Sequence, residues 1–195
     1  LSMELFAIDD KDLHSLLSFS KKTSQPLFQA IEILLSFYYP KISQEEFLIG
    51  IPISGRVYEE QEQLVGMLIN NFPLRVTPLE KMTFIELFDQ CKQKFFLAFE
   101  HQNLPIDRIV EELKVARTTN NSPLFQVMFN FLNMFDEVIS LNCATMEMVD
   151  KRRHVAQFDF SLHIYETKKR LNCVLEYNTN LVKRSRMERM AGHFM

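Results

Sequence analysis

The chain has 195 residues, 47% of them hydrophobic and 24% charged, with a net charge of −3. That is enough apolar material for one globular domain with a sizeable core. The near-neutral balance excludes the basic footprint of a nucleic-acid binder, and no apolar run is long enough to span a bilayer. Cys91, Cys143 and Cys173 are odd in number and far apart, so a disulfide scaffold is not expected and a reducing cytoplasm is.

In chain order, residues 3–8 read as a short strand rather than a secretory leader. Asp9 or Asp10 offers an N-cap for a helix through Leu13, Leu16 and Leu17. Ser24 could cap a second helix with Pro26 in its first turn and a stripe of Phe28, Ile31, Leu35 and Tyr38, closed by Tyr39-Pro40.

Residues 45–75, EEFLIGIPISGRVYEEQEQLVGMLINNFPLR, organise the chain. Phe47 to Ile53 is almost wholly apolar and reads as a buried strand. Ser54-Gly55-Arg56 breaks it in a polar turn. A Glu- and Gln-rich stretch follows, then apolar character returns over residues 64–69, and Asn70-Asn71-Phe72-Pro73-Leu74-Arg75 closes the segment. Three of the four glycines lie here, at 50, 55 and 66, where the backbone is expected to bend or be closely approached. The bland alternative is an ordinary strand–loop–strand connection.

Thr83 opens a helix with Phe84, Phe88, Cys91, Phe95 and Phe99 on one face and Gln90, Lys92, Gln93 and Lys94 largely on the other. This stripe suits packing on a sheet better than a ligand wall. Pro105 starts a short helix over residues 106–113, with Asp107 in its first turn. Residues 124–132 read as a strand buried on both faces, and residues 138–148 as a weaker one. Over residues 155–165, Phe158, Phe160, Leu162 and Ile164 alternate with Gln157, Asp159, Ser161 and His163. Lys168-Lys169-Arg170 makes a charged turn into a second alternating run, residues 171–177, so the pair is predicted to be a hairpin. Met187, Met190, Ala191 and Phe194 mark a final amphipathic helix. Helices alternate with strands first and strands dominate later. The expected fold is α/β, in the α+β range, with a mixed sheet flanked by helices.

Chemistry is sparse. There is no G-x-S-x-G, P-loop or G-x-G-x-x-G, and the five histidines show no zinc-like spacing; no catalytic and no metal residue is assigned. Asp159, Ser161 and His163 suggest a triad. However, residues two apart on a strand are about 6.6 Å apart, and a triad needs contacts of about 2.6–3.2 Å. They read better as polar groups on a partly solvated face. His101 could be a base but fits a helix C-cap better. Arg56 and Arg75 could bind a carboxylate or phosphate, or pair with Glu59, Glu60 or Glu62 and hold the loop. Lys151-Arg152-Arg153-His154 reads as a solvated loop.

Five stretches, in order, carry a resemblance. They are I-G-x-P-x-S-G-R with L-x-G-x-x-x-N-x-x-P-L-R; His101-Gln102-Asn103-Leu104-Pro105-Ile106-Asp107 with I-V-E-E-L; Arg117 through Asn121 with S-P-L-F-Q-V-M-F-N; F-D-F-S-L; and L-E-Y-N-T. Together the chain resembles the condensation domains of nonribosomal peptide synthetases, in the chloramphenicol-acetyltransferase-like superfamily. The family's two lobes form a V around a tunnel. They join an upstream acyl thioester to a downstream amine, each carried on the phosphopantetheine of a carrier protein in peptide-antibiotic biosynthesis.

The family's HHxxxDG motif belongs to the first lobe, and this sequence has no adjacent His pair and no Asp-Gly. The resemblance therefore implies that residues 1–195 are the C-terminal lobe alone, excised from something longer. Its partners would be the N-terminal lobe and carrier domains, with no directly bound cofactor. Ser54, Gly55, Arg56, Asn70 and Arg75 would line the tunnel, and the segment after Arg56 would reach across as floor and latch. Asn71 stands where the family usually has Thr. A non-catalytic carrier-docking domain and a related acyltransferase or epimerising lobe are the rival expectations.

Overall fold

The computed structural model describes residues 2–8, 46–78, 82–115, 122–133, 140–141, 144–145, 156–166 and 171–192. The two helices expected over residues 9–39, the charged turn at 168–170 and the basic cluster at 151–154 lie outside the described residues. The chain divides into two compact units, residues 16–130 and residues 1–15 with 131–195.

In the first unit, β2 (Phe47–Ile53) lies between β3 (Asn70–Val76) and β4 (Val127–Asn133), of which residues 127–130 belong to this unit. β2 runs antiparallel to β3, with Phe47 opposite Val76 and Ile53 opposite Asn70, and parallel to β4, with Ile49 beside Val127. The sheet is mixed, as the alternation of elements implied. Phe47, Ile49 and Ile51 are buried and stand opposite buried Val76, Leu74 and Phe72. Cross-strand apolar pairs of this kind stabilise a sheet.

α1 (Phe84–Glu100) covers β3. Thr83 caps it in a reciprocal box: the Thr83 hydroxyl accepts from the Glu86 N–H at 3.3 Å, and the Glu86 carboxylate accepts from the Thr83 N–H at 2.8 Å. Donation to the Glu86 carboxylate from the Thr83 N–H, and from its hydroxyl at 2.8 Å, holds that carboxyl below its ordinary range. Leu87, Phe88, Cys91 and Phe95 are buried, and the Phe95 ring meets Phe72 edge to face at 5.6 Å. Phe99, expected in the same stripe, is 44% exposed and stacks on Phe95 at 6.1 Å. Two polar side chains expected to face solvent turn back instead. Lys94 Nζ donates to Thr77 Oγ1 at 3.1 Å, and Gln90 Oε1 accepts from the Thr77 N–H at 3.3 Å, tying the helix to the end of β3. α2 (Ile106–Glu112) follows, with Asp107 in its first turn and Val110 buried.

The second unit contains β1 (Ser2–Ile8), β7 (Phe160–Glu166) and β8 (Leu171–Tyr177), with β8 in the middle. β7 and β8 form the expected antiparallel hairpin, Phe160 opposite Tyr177 and Glu166 opposite Leu171. Of the alternating apolar set, Phe160, Leu162 and Ile164 are buried as direct pairs with Tyr177, Leu175 and Cys173, while Phe158 lies in a bend before the strand begins and is half-buried. The other face is less open than the sequence implied, since Ser161 is also buried. Burial raises the Asp159 carboxyl above its ordinary value and pushes the Cys173 thiol up to about 12, so that cysteine is an inert core residue. The weak strand expected over residues 138–148 is instead two short strands paired antiparallel, β5 (Ser140–Leu141) and β6 (Ala144–Thr145). α3 (Arg184–Gly192) closes the unit against β1, with Met187 buried.

Candidate functional site

The stretch singled out in the sequence becomes the open end of the β2–β3 hairpin. Two of its glycines are required there, for different reasons. Gly50 lies mid-strand, where a Cβ would stand 2.1 Å from the Phe125 ring. The ring packs on the backbone of β2 because nothing projects from it. Gly55 has φ +64°, and a Cβ there would fall 1.8 Å from the Leu68 carbonyl oxygen. The turn out of β2 thus needs glycine twice over, for its left-handed backbone and for the close return of the chain. Gly66 has open space around it and no such constraint.

Between the strands, residues 54–69 form an arm held by polar contacts. Gln61 Oε1 accepts from the N–H groups of Val57 and Tyr58 at 2.8 and 3.2 Å, closing a short 3-10 turn at Glu59–Gln61. Arg56 Nη2 donates to the Leu64 carbonyl at 3.1 Å. Arg56 therefore holds the loop, as one sequence reading expected, but through a backbone carbonyl rather than through Glu59, Glu60 or Glu62.

The apolar side chains of the arm face outward. Val57, Tyr58, Leu64 and Ile69 are exposed, Met67 is 89% exposed and Val65 fully so. A hydrophobic run normally buries itself; this one is displayed on a frame of hydrogen bonds. Contiguous exposed apolar surface of this sort marks an interaction site.

Asn70 stands opposite Ile53 at the root of the arm. Its Nδ2 donates to the carbonyls of Gln102 and Leu104 at 2.8 and 2.9 Å, and its Oδ1 accepts from the N–H groups of Asn71 and Ile106 at 3.0 and 3.4 Å. All four positions of the carboxamide are used. Asn70 therefore clamps the turn between α1 and α2, joining the N-x-x-P-L-R stretch to the H-Q-N-L-P stretch. Nothing in the spacing of the two stretches announced this contact. Asn70→Ala would leave two carbonyls without their donor and is expected to cost about 2 kcal/mol, read as a lower urea midpoint at unchanged m-value.

His101 is the C-cap residue of α1, as its position suggested; its backbone N–H donates to the Ala98 carbonyl at 3.1 Å. Arg75 lies apart from the others. Ser54, Gly55, Arg56 and Asn70 gather at the open end of the hairpin, while Arg75 is at the far end of β3, opposite Leu48. It grips Glu46 through both carboxylate oxygens at 2.6 and 3.0 Å, and this lowers the Glu46 carboxyl.

A model of the family described as "Condensation domain" matches residues 2–195. This chain belongs to the condensation domain family. Among curated relatives, it is 34% identical over 171 residues to tyrocidine synthase 3 of Brevibacillus parabrevis, covering 87% of this chain and 3% of that protein. It is 31% identical over 195 residues to surfactin synthase subunit 2 of Bacillus subtilis (strain 168), covering 98% of this chain and 5% of the relative. Its fold is similar to that of the condensation domain from the Monacolin K polyketide synthase, with TM-score 0.83 at 20% identity over 98% of this chain and 46% of that one. The X-domain of teicoplanin biosynthesis, solved in complex with OxyB, gives TM-score 0.87 at 16% identity, over 99% of this chain and 43% of that one. This condensation domain chain thus spans a small fraction of the synthetases and under half of those two solved chains. No helix among its described residues is long and apolar enough to cross a membrane.

Proposed function

We propose that this chain is the second, downstream half of a condensation domain, and that with a first half bearing HHxxxDG it forms amide bonds between acyl and aminoacyl groups carried as thioesters on phosphopantetheine. The observation that carries this reading is the conjunction of a family match over residues 2–195 with a sequence that lacks the family's His-His signature. One wall of a reaction channel can position substrates; without the facing wall it supplies neither the base nor the enclosed cavity that transition-state stabilisation needs. The chain alone is therefore inactive.

In this reading the bend at Ser54, Gly55 and Arg56 borders the channel, Asn70 fixes the neighbouring turn, and the arm of residues 54–69 reaches the first half. Arg75, bound to Glu46, serves as a strut. The partners are the first half and carrier domains of a cytoplasmic synthetase. Ser54 is exposed at the end of β2, so Ser54→Trp adds bulk without disturbing the core. In a protein joining this chain to a first half, Ser54→Trp is expected to lower amide formation at least tenfold at unchanged thermal midpoint. Unaltered turnover would remove the bend from the channel.

A second reading is a non-catalytic docking domain. It is supported by the fold likeness to an X-domain solved in complex with another protein. It requires that the chain, even joined to a first half, bind carrier domains without forming an amide.

A further inference from the structure

The unit that holds β1, β7 and β8 contains a second feature, unconnected with the arm. A concavity of about 370 Å3 opens at the start of α3, lined by Leu181, Lys183, Ser185, Arg186 and Arg189. Among the described residues the lining carries three cations and no carboxylate. Arg184 beside it is engaged with Glu188, Nε to Oε1 at 2.9 Å. No carboxylate among the described residues pairs with Lys183, Arg186 or Arg189, and all three are exposed.

This arrangement runs against local electrostatics. Like charges on one small surface repel, and Lys183 and Arg186, at the amino end of the helix, oppose its dipole, whereas Arg189 lies in its last turn. The first turn of α3 has no acidic residue to offset them, although the chain as a whole is net negative. A local conflict that no described residue offsets is where function is to be sought.

We propose that this bowl binds a small-molecule diphosphate ester. Two guanidinium forks match phosphoryl oxygens in pairs, Lys183 adds a point charge, and Ser185 a hydroxyl. Leu181 gives the organic part an apolar edge. The size favours a compact polyanion, since the volume is that of a small-ligand site. The proposal is independent of the amide-forming reading.

The test is calorimetric titration of the full 195-residue chain with pyrophosphate, and separately with a nucleoside diphosphate, at fixed ionic strength, with sulfate as the control anion. Saturable one-to-one binding is expected, at least tenfold tighter for pyrophosphate than for sulfate, with the nucleoside diphosphate binding at least as tightly as pyrophosphate. Arg186→Gln with Arg189→Gln is expected to weaken it at least tenfold, and Arg108→Gln, on α2, to leave it unchanged. Arg189→Gln alone gives a smaller loss in the same direction, should the double variant fold poorly. No saturation, equal affinity for sulfate, or indifference to the Arg186 and Arg189 changes would overturn the proposal.

Discussion

Gly50→Ala is expected to destabilise the chain by about 3 kcal/mol, at the upper end of what overpacking one methyl into a filled core costs. The added carbon would sit 2.1 Å from the Phe125 ring, which is itself buried. Neither neighbour can yield easily. β2 is fixed on both sides by its ladders to β3 and β4, and Phe125 lies two residues before β4 begins at Val127. The measurement is urea denaturation, with a fall in midpoint at constant m-value. Phe125→Leu should relieve the clash. The double variant is expected to be more stable than the sum of the two single losses by at least about 1 kcal/mol, the range seen for residues in direct contact. Strict additivity would show that the ring and the glycine do not oppose each other.

The second large effect concerns the arm. Val65 is fully exposed and Met67 is 89% exposed, so neither contributes packing to the chain by itself. Val65→Asp with Met67→Asp should therefore change its stability by no more than about 0.5 kcal/mol. If the arm reaches a first half, those two carboxylates must enter an apolar contact. Even after relaxation that costs at least about 3 kcal/mol for the pair, or roughly a hundredfold in association. The expected pattern is a loss confined to the two-part assembly: unchanged melting of the isolated chain, and a hundredfold weaker association with the other half. A variant that melts early would mean that the arm packs on its own body. A variant that associates normally would mean that the arm points elsewhere.

Much of the fold was legible because its periodicities are clean. The alternation Phe160, Leu162, Ile164 can belong only to a half-buried strand, and the Phe stripe after Thr83 only to a helix with one apolar face. The failures have physical causes. The exposure of residues 64–69 could not be read from hydropathy, since they are as apolar as a core strand. Within the weak strand expected over residues 138–148, the described residues 140–141 and 144–145 pair with each other instead, since weak alternation sets no length. Ser161 is buried because burial on the second face depends on what lies above it, which periodicity does not encode. At the candidate site, Gly50 and Gly55 were conspicuous as rare glycines in an apolar setting. The partners that give them meaning, Phe125 and the Leu68 carbonyl, required the fold. The same holds for Asn70, whose acceptors at Gln102 and Leu104 are more than thirty residues away, and for Arg75, which engages Glu46 rather than the glutamates of the loop.

We propose above that this chain is one wall of a two-walled amide-forming site. The most direct measurement titrates it against a separately produced first half bearing HHxxxDG, with donor and acceptor aminoacyl thioesters on carrier domains, following the condensed thioester by intact-protein mass. No product from either half alone, and product that rises with this chain and saturates at equal amounts of the two, is the result expected. Product from this chain by itself, or none from the mixture once the halves are seen to associate, would contradict the claim.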